Sequence, residues 1–163
     1  MNPNEKEKWK AAGKLARDAL HFGKSLIKDG GNMLTITEEI EGYVIKNRGE
    51  LAFPTNLAVN NVGAHWTPST KSKETFKRGD VVKLDVGVHI DGYIGDNALT
   101  VEIETNEYGK MIEASREALN AAIDVASAGV NVGIIGHAVQ DKIEQYGYRP
   151  IANLTGHRIK RYN

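Results

Sequence analysis

Val81-Val82-Lys83-Leu84-Asp85-Val86-Gly87-Val88-His89-Ile90, then Asp91-Gly92, then Tyr93-Ile94-Gly95-Asp96-Asn97-Ala98-Leu99-Thr100-Val101 is the stretch that decides the fold. Both runs are rich in β-branched residues, and Asp-Gly between such runs signals a hairpin with a two-residue loop. With Asp91-Gly92 as that loop, Ile90 pairs with Tyr93, Asp85 with Ala98 and Gly87 with Asp96. Strand side chains alternate with period two, so Asp85, Gly87, Asp96 and Ala98 share one face. Asp85 and Asp96 become diagonal neighbours, with α-carbons about 7–8 Å apart, and both carboxylates can reach one ion. Gly87 leaves open space where that ion would lie. A divalent cation there removes the repulsion between the two acids. Without a cation, the same pattern is the wet face of an antiparallel hairpin, with Lys83, Asp85 and His89 solvated. One residue of register slip would separate the pair.

The chain has 163 residues, enough for one domain with a substantial core. Its 21 basic and 21 acidic residues balance, so neither a nucleic-acid surface nor a membrane-binding helix is indicated. It has no cysteine, which removes disulfides and thiolate metal sites. Any metal is left to carboxylate, imidazole or backbone oxygen. The first residues, Met1-Asn2-Pro3-Asn4-Glu5-Lys6-Glu7-Lys8, lack the apolar core of a signal peptide. No run is long enough for a membrane span. The expectation is a soluble cytoplasmic protein.

Around the hairpin the pattern is mostly helical. Residues 5–28 place Ala12, Leu15, Ala16, Ala19, Gly23, Leu26 and Ile27 near one stripe, and Asp29-Gly30-Gly31 stops the helix. Thr35-Ile36-Thr37-Glu38 reads as a capping box opening a second helix that runs to Gly49. Leu51-Ala52-Phe53-Pro54 and Leu57-Ala58-Val59 read as short extended runs, and residues 67–79 as a polar loop. After the hairpin, Asn106 is placed to cap a third helix with Met111, Ile112, Ser115, Ala118, Leu119, Ala122, Ile123 and Ala126 on one side, ended by Gly129. A fourth helix over 132–146 buries Ile135, Ala138, Val139, Ile143 and Tyr146, and residues 148–154 turn extended again. The order helix, helix, strand, hairpin is thus followed by helix, helix, strand. No sequence repeat accompanies it, but the order suggests a duplicated unit whose second copy stops before its hairpin.

Two histidines are candidates for site chemistry. His157 lies in Asn153-Leu154-Thr155-Gly156-His157-Arg158-Ile159, and imidazole is a common ligand of transition metals. His65 lies in the turn-rich Asn60-Asn61-Val62-Gly63-Ala64-His65-Trp66-Thr67-Pro68, where the plain reading is a loop histidine stacked on Trp66. His89 shares a face with Asp85 but stands four residues away, about 13 Å along a strand, too far for the same ion. His21 and His137 fall within helices and read as structural. No nucleophile elbow, phosphate loop or zinc-protease helix motif is present.

Phe53-Pro54-Thr55-Asn56, Asn60-Asn61 through His65-Trp66-Thr67-Pro68, Asp80 through Asp96, and Asn153-Leu154-Thr155-Gly156-His157-Arg158-Ile159 together resemble type 2 methionine aminopeptidases. The short amino terminus, without a polybasic extension, is archaeal-like. The resemblance implies an α+β pita-bread fold, the creatinase/aminopeptidase fold, of which the chain holds the first αβ half and the start of the second. Residues 1–163 would then be a single incomplete catalytic domain. It further implies two divalent metal ions (cobalt, manganese, iron or zinc), with Asp85 on one metal, Asp96 bridging both and His157 on the other. By the same resemblance His65 is catalytic and binds substrate near its amino end, and Phe53 forms a wall of the pocket for methionine. The implied substrates are amino-terminal methionyl peptides, and the implied reaction is removal of the initiator methionine by two-metal hydrolysis.

The family's two further glutamate ligands and second histidine fall beyond residue 163. The chain is therefore expected to be a truncation product, one half of a split enzyme, or a fragment completed by a second chain, and to be inactive alone. Two other readings stay open: a proline dipeptidase-like relative, and a non-catalytic pita-bread interaction protein. Proline dipeptidases carry a His-Gly-His pattern where this chain has Thr155-Gly156-His157. Non-catalytic relatives lose metal ligands, whereas Asp85, Asp96 and His157 all stand here.

Overall fold

The computed structural model describes residues 2–163. The chain divides into two compact units, one running to Thr105 and taking in Arg158–Asn163, the other Asn106–His157.

The first unit opens with α1 (Pro3–Leu26). Asn2 caps it: its side chain accepts from the Glu5 N–H, and the Glu5 carboxylate accepts from the Asn2 N–H. The reciprocal pair satisfies two donors that a helix start leaves free. The next helix, α2 (Met33–Lys46), begins earlier than the Thr35 capping box predicts, because the Asn32 side chain accepts from the Thr35 N–H at 2.9 Å. An asparagine side chain with that bond in place is as good a cap as threonine, and it comes first in the chain.

Four strands follow: β1 (Glu50–Leu51), β2 (Asn56–Val59), β3 (Val81–Ile90) and β4 (Tyr93–Glu102). They form one antiparallel sheet with β3 central; β1 and β2 share one edge of β3 and β4 takes the other. The inner face is apolar, with Val82, Leu84, Val86 and Val88 fully buried. Helix α1 lies against β3 and β4, and presents small residues there, Ala12, Ala16, Ala19 and Gly23. The approach is close. A Cβ on Gly95 of β4 would come within 2.6 Å of the Ala12 backbone. Ile36, Ile40 and Val44 of α2 complete this core.

Phe76 lies in the stretch read from sequence as a polar loop, yet is only 1% exposed and joins the core. Its backbone explains the placement: Phe76 N–H donates to the Gly31 carbonyl, and Gly30 N–H to the Phe76 carbonyl, both at 2.9 Å. The loop is thereby stitched to the end of α1.

The second unit holds α3 (Gly109–Val125) and α4 (Val132–Gln145), packed on each other. Tyr108, rather than Asn106, is the cap residue of α3, and its side chain makes no cap hydrogen bond. The predicted stripe of α3 is also displaced: Ala114 and Ala118 are buried, while Leu119 and Ile123 are 56% and 62% exposed. In α4 the predicted face is the more covered one, but no residue of that helix is fully buried. Residues 148–154 form no strand. Among the described residues no helix is long and apolar enough to cross a membrane.

Candidate metal centre

The site begins at the hairpin turn. Asp91 (φ 52°) and Gly92 (φ 81°) both take left-handed backbone, as a two-residue turn that matches strand twist requires. Asp and Gly tolerate that region, so the register is fixed: Ile90 opposite Tyr93, Gly87 opposite Asp96, Asp85 opposite Ala98. This is the pairing the sequence predicts. It turns Asp85 and Asp96 to the outer face, opposite the core.

Their environments differ. Asp96 is exposed and Asp85 half-buried. Burial pushes the Asp85 carboxyl up to about 6, and the charge of Asp96 and a hydrogen bond with it push the same way. The positive charge of His65 pulls back weakly. Below about pH 6 the Asp85 carboxyl therefore keeps its proton in the absence of a cation. Its Oδ1 is buried without a hydrogen-bond partner. A buried carboxylate oxygen left unpartnered, beside a second carboxylate, is a donor set that suits a hard divalent ion. Lys83 stands two residues away on the same face, but its ammonium donates to the Asn60 carbonyl at 2.7 Å and burial lowers its pKa. Among the described residues, no three His, Cys, Asp or Glu side chains converge as one metal-binding group. Two oxygen donors are a beginning of a coordination shell, and the residues present fit the metal to that extent.

Phe53 and His65 are brought to this face by the edge strand β2. Asn56 pairs with Asp85, and the Leu57 N–H donates to the Trp66 carbonyl at 2.8 Å, folding the loop that bears His65 back on β2. His65 is exposed and held at φ 58°, a conformation that costs a non-glycine residue free energy. On the other side, Ala52 N–H donates to the Gly87 carbonyl at 2.9 Å, and the next residue lays its ring on Gly87. A Cβ at Gly87 would fall 2.1–2.6 Å from the Phe53 ring carbons. The space over Gly87 that the sequence reading leaves for an ion is therefore filled by an aromatic ring. Glycine is needed there to seat phenylalanine.

Glu41 of α2 accepts from the Thr55 N–H at 3.0 Å and ties down the Phe53 loop. Sequence reading misses it, since one glutamate on a helix carries no signal of its target. His89 is engaged elsewhere: its Nδ1 accepts from the Gly92 N–H at 3.3 Å and its ring packs edge-on against Tyr162. His157 is exposed, in irregular backbone, and is the last residue of the second unit. His21 and His137 lie exposed on α1 and α4, the latter 2.7 Å from the Gly133 carbonyl within its own helix. Of the residues singled out from sequence, Asp85, Asp96, Phe53 and His65 thus come together in the first unit.

A model of metallopeptidase family M24 matches residues 7–162. A methionine aminopeptidase of Archaeoglobus fulgidus is 44% identical over 162 residues, covering 99% of this chain and 55% of that protein. One from Pyrococcus abyssi is 46% identical, covering 93% of this chain and 51% of that protein. The chain spans about half the length of these relatives. Among solved structures, methionine aminopeptidase from Thermotoga maritima superposes with a TM-score of 0.90 at 32% identity, over 99% of this chain and 68% of that one. The shared architecture is the α+β pita-bread fold.

Proposed function

The chain belongs to metallopeptidase family M24, and on that footing we propose that it is the amino-terminal part of a metalloaminopeptidase that removes methionine from the start of polypeptides. The observation that carries this reading is the Asp85–Asp96 pair on the outer face of β3–β4, with one buried Asp85 oxygen left unpartnered. All 163 residues belong, in this reading, to one incomplete catalytic domain. The reaction takes place in the cytoplasm, where new chains emerge, and the organisms of the relatives fit an archaeal source.

In this reading Asp85, Asp96 and His157 would hold the two divalent ions. Cobalt, manganese, iron and zinc all suit oxygen and imidazole donors. When bound, such a pair supplies Lewis acidity to the scissile carbonyl and lowers the pKa of water. The chain's own residues do the rest. Phe53, seated on Gly87 and fixed through Thr55 and Glu41, offers an apolar wall to a thioether side chain, for which polarizable contacts are favourable. His65, on the loop folded back on β2, steadies the reacting peptide near its amino end. The remaining ligands come from polypeptide equivalent to the relatives' other half, in a longer form of this protein or in a second chain.

The test is release of free methionine from a Met-Ala peptide with added cobalt. The 163-residue chain alone should release none, and the chain supplemented with the other half of a relative should turn over. His65→Ala in that active form should lower kcat with metal content unchanged. Loss of metal in that variant would put His65 among the ligands, and turnover by the chain alone would contradict the need for a second half.

A further inference from the structure

Phe53 lies between two pins. On one side the Ala52 N–H donates to the Gly87 carbonyl of β3 at 2.9 Å. On the other the Thr55 N–H donates to Glu41 Oε1 of α2 at 3.0 Å. Pro54, between the ring and the second pin, has a fixed φ and no N–H to donate. The first backbone donor after Phe53 is therefore that of Thr55, a residue with no exposed surface, and losing its acceptor would leave a buried amide unpaired. Pairing of β2 with β3 begins one residue later, at Asn56. The Thr55 hydroxyl is buried with no partner among the described residues, so the grip on Thr55 from α2 comes through its backbone. Between the pins the ring is seated on Gly87, where a Cβ would fall 2.1–2.6 Å from its carbons.

Glu41 takes its direction from the buried side of α2. Ile36, Ile40 and Val44 sit in the core and fix the rotation of the helix. Glu41 then falls on the flank it shares with Thr37, one turn earlier. The Thr37 hydroxyl donates to the Met33 carbonyl within the helix, whereas Glu41 reaches across to the loop. A carboxylate accepting from a backbone amide makes a charge-assisted bond, stronger than a neutral one. We propose that Glu41 is a positioning residue for side-chain selectivity: by holding Thr55 it fixes the Phe53 ring on Gly87, and so sets the shape of the apolar wall that the substrate's first side chain meets. This rests on the reading of Phe53 as the methionine wall. A fixed wall separates unbranched from branched side chains by shape, while a loosened wall keeps apolar area and gives up shape. The wall meets a side chain rather than the reacting carbonyl, so loosening it removes binding that ground state and transition state share. Such a loss raises KM and spares kcat.

The first test uses the 163-residue chain and nuclear magnetic resonance. The Phe53 ring current displaces the Gly87 α-proton resonances, and Phe53→Leu marks their undisplaced position. Glu41→Ala should reduce that displacement and speed hydrogen exchange at the Thr55 amide, while exchange along α2 stays as in the parent. Glu41→Gln keeps an acceptor oxygen and should retain most of both. The second test uses the active form made with the other half of a relative. There Glu41→Ala should raise KM for Met-Ala about tenfold, the size of one lost charge-assisted bond, with kcat near that of the parent. It should also narrow the preference for Met-Ala over Leu-Ala, and Glu41→Gln should restore most of it. An unchanged Gly87 displacement in Glu41→Ala, or a fall in kcat at unchanged KM, would overturn the proposal. Phe53→Ala separates the two ideas. If it raises KM while Glu41→Ala does not, only the role of Glu41 fails; if it leaves KM unchanged, the wall reading fails and the role of Glu41 with it.

Discussion

The two helix pairs of this chain are alike in order and unlike in what they cover. Helices α1 and α2 bury a continuous face of Ala12, Ala16, Ala19, Ile40 and Val44, with the valines and Leu84 of β3 in the same core. Helices α3 and α4 pack on each other, bury only Ala114 and Ala118, and leave Leu119, Ile123, Val132 and Ile134 at least half exposed. An amphipathic helix draws most of its stability from the surface that covers its apolar face. The first pair has its sheet. The second leaves Leu119, Ile123, Val132 and Ile134 exposed to solvent.

The largest effect should therefore come from the first unit. Leu84→Ala removes a fully buried side chain from the middle of β3. It should cost about 3 kcal/mol in urea denaturation, the range for a leucine deleted from a packed core. A smaller loss is expected at the contact between α1 and β4. Gly95→Val would drive a side chain into the Ala12 backbone, and overpacking of that kind costs about 1–3 kcal/mol. The smallest effect belongs to the second unit: Leu119→Gln should shift stability by less than about 0.5 kcal/mol. It should also reduce self-association, since exposed apolar patches drive it. If Leu119→Gln were as costly as Leu84→Ala, the contrast between the units would be wrong.

How much of this could be read in advance depended on where the physics is local. The hairpin was legible to the residue, because Asp91-Gly92 dictates the turn and a period-two pattern dictates the face. The stripe of α1 was legible for the same kind of reason. The cap at Asn32, three residues before Thr35, was not, since Thr35-Ile36-Thr37-Glu38 offered an equally good local pattern. Phe76 was lost in a polar stretch because long-range backbone bonds to Gly30 and Gly31 decide its burial. In α3 the apolar period was visible, but which side of it is covered depends on neighbours that periodicity does not name. At the site, the carboxylate pair was readable from register alone, whereas the Phe53 ring over Gly87 and the Glu41 tie depend on residues distant in sequence.

The raised Asp85 carboxyl gives the site a pH signature. Between the ordinary carboxylate value of 3.8 and its own value of about 6, the folded chain holds a proton that the unfolded chain gives up. The metal-free protein should therefore lose part of its stability as pH rises through that window, and level off above it. Asp85→Asn should flatten the slope, as followed by thermal unfolding at a series of pH values.

Cobalt titration calorimetry of the 163-residue chain at pH 5 and pH 7 tests the central claim most directly. The cation must displace the proton that Asp85 holds at the lower pH, so affinity should be weak there and rise at the higher. At pH 7, Asp85→Asn and Asp96→Asn should each weaken binding, Asp96→Asn more if it bridges, while Asp141→Asn on exposed α4 should leave it unchanged. Equal cobalt affinity in the parent and all three variants, or no rise between the two pH values, would contradict the assignment of the metal centre to this hairpin.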